Sequence, residues 1–325
     1  MFRYIARRVI FSIPVLLVSS VLVFVVIRAN GDFLRSLGNN PRADPKAILL
    51  AREKLGLNKS GVEQYTTWFT HFVRGDWGVS LLTSQPVAKD IRDALWNTFV
   101  LGSVATVFSL IVGVGIGVYS AIRQYSLFDH ISTGAAFFGL SIPNFWFGLM
   151  LQIFFGIYLV RWLHLSNPIF YITGMFRPGT TGFSFTDRAR HIVLPALVLA
   201  VQIIAVYSRY MRASMLEVLQ SDFMRTARAK GIRERRVIVR HAMRNALIPI
   251  TTQLALDIGT LAGGLIITEQ VFQWPGMGPL FLNAIGEGDF PVALAWVMVT
   301  VSAVIVFNLI ADIMYAVLDP RIRYA

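Results

Sequence analysis

Six long runs of apolar residues, almost free of charge, dominate the chain: Val9–Ile27, Ala94–Ile122, Ile131–Val160, Ile192–Ser208, Ala246–Thr268 and Phe290–Ala311. A hydrocarbon core of about 30 Å takes about 20 residues of helix. Each run is close to that length, the shortest being extended by Tyr210 and Met211. The pattern predicts an all-α integral membrane protein with six transmembrane helices. The connection after the first run is long and polar, and within it Pro45–Leu55 and Val62–Val73 read as short helices. Trp68, Phe69, Phe72 and Trp77 would let the second lie at the membrane interface, where aromatic rings are favoured. Pro143 removes a backbone donor inside the third run and predicts a kink there. Arg3, Arg7 and Arg8 precede the first run as they would a secretion signal. Its apolar core is longer than the ~7–15 residues of a signal, and Ile27-Arg28-Ala29-Asn30 is a poor cleavage site, so the run reads as a retained anchor.

Composition agrees with a bilayer setting. Of 325 residues, 55% are hydrophobic and only 15% charged, with mean hydropathy +0.60; soluble domains are nearer a quarter charged. The net charge of +12 acquires meaning once it is divided between the two sides of the six spans. With the N-terminus inside, 16 basic residues face the cytoplasm against five acids, Asp129, Glu217, Asp222, Glu234 and Asp319. The opposite side carries 14 basic residues against 11 acids. That is the positive-inside asymmetry, with both termini cytoplasmic. The long connection 28–93 is exempt because long segments cross regardless of charge. Three parts follow: residues 1–93, the first helix with a helical extracytoplasmic segment; 94–318, a five-helix transmembrane domain holding the cytoplasmic loop 212–245; and 319–325, a cytoplasmic tail.

Little in the chain supports chemistry of its own. It has no cysteine, its five histidines are scattered, and it lacks a Gly-Lys dipeptide, Gly-x-Ser-x-Gly and His-Glu-x-x-His. No catalytic residue, metal site or cofactor is expected in this chain, and any ATP it uses must be bound by another subunit. Gly113, Gly117, Gly259 and Gly263 fit the small-xxx-small spacing of close helix contacts, within one chain or against a second subunit. Asp257 is the one charge deep in a span. A pathway role is the default reading of such a residue, and a hydrogen bond to a neighbouring helix is the other.

The loop between the fourth and fifth runs concentrates ten basic residues between Arg209 and Arg244. A lipid anchor would account for the charge, at about 1 kcal/mol per Lys or Arg near an anionic leaflet. Nucleic acid would call for stacking aromatics, and only Phe223 is near. A third reading rests on layout. Asp222 can cap a helix over Phe223–Lys230, with Phe223 and Ala227 along one side. Gly231 breaks it, as a C-cap or a close approach to a partner, and a second helix starts near Glu234. A short helix projecting into a partner's groove needs that arrangement.

Thr226-Ala-Arg-Ala-Lys-Gly231 and His241-Ala-Met-Arg-Asn-Ala-Leu-Ile-Pro249 resemble the EAA loop of ABC-transporter permeases in the oligopeptide/dipeptide branch. Leu55-Gly-Leu57, Gln64-Tyr65, Arg74-Gly-Asp-Trp-Gly-Val-Ser80, Ser141-Ile-Pro143 and Glu269-Gln-Val-Phe-Gln-Trp-Pro-Gly-Met-Gly278 are also similar to members of that branch. The general loop pattern is altered here: its Glu and first Ala are Arg225 and Thr226, and its final Ile-x-Leu-Pro is His241-Ala-Met-Arg244.

The resemblance implies a type I importer in a bacterial inner membrane. Its parts would be this permease with a paralogous permease subunit as a heterodimer, two cytoplasmic ATPase subunits carrying ATP and Mg, and an extracytoplasmic peptide-binding protein. It places ATPase coupling in the loop 222–245, with Arg225, Thr226, Ala227, Lys230, Gly231, Arg233, Arg235 and Arg236 as the contact set. Receptor docking falls to the external segment, with Arg74, Gly75, Asp76 and Trp77 as candidates, and Asp257 is the pathway candidate. Members of the branch carry peptides, glutathione, nickel chelates or sugars. A secondary transporter or channel with Asp257 as its ion site is the alternative.

Overall fold

The computed structural model describes residues 2–30, 59–177, 179 and 184–318. The expected helix at Pro45–Leu55 and the tail 319–325 lie outside the described residues.

Helix α1 (Phe2–Asn30) exposes Ile10, Phe11, Val18, Leu22 and Val25 along its flank. A helix apolar on nearly every side is stable where lipid covers what protein does not. Helix α2 (Gly61–Val73) opens with a capping box between Ser60 and Glu63. It docks on α1 through Ser20 Oγ and Tyr65 OH, 2.7 Å apart, and through Phe24 stacked on Trp68 at 5.7 Å. Trp68, Phe72 and Trp77 all join the cluster around Phe24 and Ile27. Tyr65 and Trp68 therefore pack onto the first helix, and Phe72 and Trp77 join the wider cluster it shares.

Helices α3 (Val87–Ile122) and α6 (Phe185–Leu219) form the longest seam of the bundle. A Cβ on Gly113 would lie 2.9 Å from the Tyr207 Cβ, and one on Gly117 would lie 2.6 Å from both the Met211 Cβ and the Ser208 carbonyl oxygen. Those two glycines are small because the backbone of α6 runs across them, which is the packing device of lipid-embedded helices. Gly259 and Gly263 likewise meet Phe307 and Thr300 of the last helix. All four residues of the small-residue motifs are thus used within the chain.

The third apolar run is two helices, α4 (Leu127–Ser141) and α5 (Asn144–Trp162). Expected as a kink, Pro143 produces a full interruption. Ile142 before it is held extended, ψ 125°, as residues preceding proline are. The carbonyl of Ile142 accepts a hydrogen bond from Gln202 Nε2 at 3.2 Å. A π-helical turn, Phe154–Tyr158, lies within α5.

After α6 come the loop helix α7 (Asp222–Ala229) and a short turn, Glu234–Arg236, which we call α8. The chain then passes through π-helical Val237–Ala242 and α9 (Met243–Ala246).

The fifth apolar run is also broken, into α10 (Ile248–Leu261) and α11 (Ile266–Val271). Between them Gly264 has φ +79°, and a Cβ there would stand 2.6 Å from the Gly278 nitrogen. Backbone meets backbone at that point, which only glycine permits. Helices α12 (Met277–Glu287) and α13 (Phe290–Leu318) complete the chain. Among the described residues, five helices are long and apolar enough to cross a membrane, within α1, α3, α5, α6 and α13. The fifth run is helical but divided into pieces shorter than a span.

Candidate functional site

Helix α3 has 36 residues, about 54 Å at 1.5 Å per residue, and it separates the two groups of candidate residues. Near its C-terminus, Ala121 packs in one cluster with Met211, Met215, Met224, Ala227, Val237, Ala242 and Ile250. Near its N-terminus lie a cleft and the segment 74–80.

At the loop end, α7 is strongly two-sided. Met224 is 0% and Ala227 8% exposed, whereas Phe223 is 47% exposed. The inner face is therefore Met224 with Ala227, three residues apart, and Phe223 does not share it. The cap also differs from expectation. Ser221 holds the N-cap position and Asp222 lies in the first turn, where a negative charge still suits the helix dipole.

Gly231 has φ +70°, and among the described residues beyond its chain neighbours none lies within 4 Å of where its Cβ would be. Within the chain its role is the left-handed turn at the helix end, its N–H donating to the Arg228 carbonyl at 2.9 Å. Arg228 reaches across the turn to Glu234 through three contacts of 3.0 to 3.3 Å. Both side chains are largely exposed, so the pair steadies the turn only modestly. Arg225, Thr226, Lys230, Gly231, Arg233, Arg235 and Arg236 of the expected contact set are all exposed, and Ala227 alone is turned inward. An exposed, cationic ridge on a buried methionine base is what remains for a partner.

At the root of this ridge, Asp129 in the first turn of α4 accepts from Arg212 Nε at 2.6 Å and Nη2 at 2.8 Å. Ser120 Oγ and the Tyr125 N–H also donate to it. Hydrogen bonding from the Arg212 guanidinium holds the Asp129 carboxyl well below the ordinary carboxylate range.

Midway along the bundle, Asp257 on α10 accepts from Tyr207 OH of α6 at 2.7 Å and from Gln253 Nε2 at 2.7 Å. It is half-buried. Both carboxylate oxygens thus have donors, one of them from a neighbouring helix, as the packing reading of this residue anticipates.

At the far end, the segment Glu269–Gly278 forms a clasp on α3. Glu269 is fully buried. Its Oε1 accepts from Thr98 Oγ1 at 2.6 Å and its Oε2 from the Gly278 N–H at 2.7 Å. Thr98 Oγ1 in turn accepts from the Met277 N–H at 2.8 Å, and Trp274 Nε1 donates to the Asn97 carbonyl at 3.0 Å. The clasp borders an open cleft of about 520 Å³ lined by Asp90, Asp93, Asn97, Gln270, Gln273 and Asn283, among others. Its amides and carboxylates suit polar ligands with N–H groups.

The segment of the docking candidates sits at this same end. Arg74, Gly75 and Asp76 are exposed and Trp77 is half-buried, stacked on Phe72 at 5.3 Å. The Asp76 carboxyl, bonded to His71 Nδ1 at 2.9 Å and to the Gly78 N–H at 3.2 Å, is held below its usual range chiefly by the histidine. Ser80 anchors the segment by donating to Asp289 at 2.5 Å. Among the described residues, no group of three or more His, Cys, Asp or Glu is placed to hold a metal.

Four of these arrangements leave no mark at the level of motif: Met224, the Arg228–Glu234 pair, the Asp129–Arg212 pair and the Tyr207–Asp257 bond. Their partners come from different elements, so no local spacing announces them.

A bundle of long apolar helices, several of them broken, with an exposed basic ridge at one end and a polar cleft at the other, suits a membrane transport subunit. Residues 113–324 match the family described as the binding-protein-dependent transport system inner membrane component. Residues 1–102 match the N-terminal region of binding-protein-dependent transport system membrane components. The chain belongs to this family and is a permease of the ABC class, embedded in the membrane.

It is 41% identical over the full length of both chains to the oligopeptide transport system permease protein AppB of Bacillus subtilis. It is 35% identical to the dipeptide transport system permease protein DppB of Escherichia coli K12, covering 100% of this chain and 99% of the other. To the glutathione transport system permease protein GsiC of Salmonella choleraesuis it is 34% identical, covering all of both. A stand-alone secondary transporter or channel finds no support in these relationships.

Proposed function

We propose that this chain is one of two permease subunits of an ATP-driven importer of peptides, forming half of the translocation pathway. The chain would cross the membrane six times, the interrupted helix pair α10–α11 serving as the fifth crossing, with both termini in the cytoplasm. Residues 1–93 carry the first crossing and the receptor-facing segment, 94–318 the conducting bundle, and 319–325 a tail. ATP and Mg are bound by two cytoplasmic ATPase subunits. A peptide-binding protein docks at the opposite end, on the segment bearing Arg74, Gly75, Asp76 and Trp77.

The observation that carries this reading is the two-sided loop helix. Met224 and Ala227 seat α7 on the bundle, while Arg225, Lys230, Arg233, Arg235 and Arg236 project outward. A groove rimmed with acids on an ATPase subunit matches such a ridge, and the buried base couples its displacement to the helices behind it. ATP and loaded receptor then shift the bundle between inward- and outward-facing states by binding the two unequally. A lipid anchor needs the charge but not the glycine-hinged helix pair.

The substrate class is supported by the full-length relatives, two of them named for oligopeptide and dipeptide transport, and by a cleft rich in groups that pair with amides. The test is uptake into vesicles containing the permease pair and its ATPases, with the receptor supplied on the outer side. ATP- and receptor-dependent accumulation of short peptides is expected. Uptake that needs neither ATPase subunits nor receptor overturns the assignment.

A further inference from the structure

Helix α6 ends at Leu219 and α7 starts at Asp222, so the loop helix hangs from α6 by a two-residue joint. About two turns before that end, Arg212 makes its paired contact with Asp129. The Asp129 carboxylate gathers donors from three elements at once: the guanidinium of α6, the Ser120 hydroxyl of α3, and the Tyr125 N–H in the turn between α3 and α4. It is 3% exposed. The turn that delivers it is itself specialised, since Tyr125 holds φ 62°, a conformation that non-glycine residues adopt only when their surroundings impose it. Gly117 on α3 lets the backbone of α6 close in at the same level, a Cβ there falling 3.0 Å from the Arg212 nitrogen.

The return path from the loop is built differently. After Gly231 the chain runs through Glu234–Arg236 and then π-helical Val237–Ala242. Among the described residues, no ion pair ties residues 237–246 to the bundle. This arm is seated by apolar packing instead, with Val237, Ala242 and Ala246 fully buried in the cluster around Met211 and Met224. The loop helix is therefore tied on the α6 side by a guanidinium–carboxylate pair and on the α10 side by apolar packing.

We propose that Asp129 and Arg212 are a positioning pair that fastens the cytoplasmic ends of α3, α4 and α6 into one lever, so that displacement of α7 is delivered to those helices rather than absorbed at its root. The proposal rests on α7 being the contact with the ATPase subunits. Bidentate guanidinium–carboxylate geometry suits this role because it resists rotation as well as separation, which a lysine ammonium does less well. Such a pair changes how far a movement travels, and leaves the binding of ATP untouched.

The experiment uses the complete transporter in vesicles, with Arg225→Cys added to this cysteine-free chain so that its cross-link to an ATPase subunit reports loop contact. Substrate imported per ATP hydrolysed is then measured for the parent, Arg212→Lys and Arg212→Met. All three are expected to retain the cross-link. Arg212→Met is expected to import about tenfold less per ATP than the parent, a coupling loss in the usual allosteric range. Arg212→Lys, which keeps the charge and one contact but not the bidentate geometry, is expected to recover only part of it. An unchanged ratio in Arg212→Met overturns the proposal, as does a parallel fall of import and hydrolysis in both variants, which is what a merely structural pair gives. A parent that fails to cross-link removes instead the reading of α7 on which the pair depends.

Discussion

Replacing Gly231 separates two reasons for a glycine, because the structure gives this position an unusual φ and ample room. At φ +70°, with none of the described residues beyond its chain neighbours within 4 Å of a built Cβ, an added side chain meets no wall among them. The intrinsic cost is backbone strain alone. For alanine that is about 1–2 kcal/mol; for asparagine, which visits the left-handed region readily, it is about a few tenths to 1 kcal/mol; for β-branched valine it exceeds the alanine value. Thermal melts of the purified complex are therefore expected to order the variants glycine, asparagine, alanine, valine, with insertion into the membrane intact in each. If a partner subunit presses on the turn, size takes over in transport: Gly231→Trp abolishes import while Gly231→Asn retains it. Asparagine and valine melting at the same temperature would refute the strain argument. Normal import by an assembled Gly231→Trp complex would refute the assignment of this turn to the ATPase contact.

Other predictions concern the seams and polar clusters. Gly117→Val drives a side chain into the Met211 Cβ and Ser208 carbonyl, each 2.6 Å from the Cβ position, and is expected to cost about 1–3 kcal/mol by overpacking. Gly115→Ala on the same helix, with none of the described residues in its path within 4 Å, should melt no lower than the parent. Thr98→Val strips a donor from Glu269 and an acceptor from the Met277 N–H, a loss of about 1–3 kcal/mol to be read as a lowered melting temperature. Asp129, whose folded pKa is depressed by Arg212, contributes stability that is complete above the ordinary carboxylate value near 3.9 and declines as pH falls below it. The difference between wild type and Asp129→Asn should accordingly stay flat from about pH 8 to 5 and shrink below about pH 4. Asp257→Asn is expected to alter import with the ATPase subunits still bound; unchanged uptake assigns the residue to the Tyr207 contact alone.

Apolar run length locates most of the long helices of this architecture, because a bilayer imposes such runs on any chain that crosses it. Where the reading from sequence stops short, a non-local contact decides. The division of the fifth run at Gly264 depends on Gly278 arriving from beyond the Trp274 turn, and an apolar window does not register that. Asp257 stood out because charge in a span is rare, yet its donor Tyr207 is an unremarkable residue of another helix. In the loop, Gly231 and the exposed arginines were legible from residue type. The inward turn of Ala227 was not, since the burial of Met224 beside it is set by Met211 and Met215 on α6. Asp129 and Arg212 are separated by 83 residues, and only the fold brings them together.

The central claim is that the loop 222–245 delivers the action of cytoplasmic ATPase subunits to this chain. Its most direct test is single-cysteine cross-linking in the assembled transporter, with cysteine placed in turn at Arg225, Arg233 and Arg235 of a chain that has none of its own. We predict disulfides to cysteines lining a groove of the ATPase subunit, with yields that change when ATP is bound. Controls at Arg74 and Asp76 should give none to that subunit. Cross-linking to the ATPase from Arg74 or Asp76, or from no position in the loop, would contradict the account.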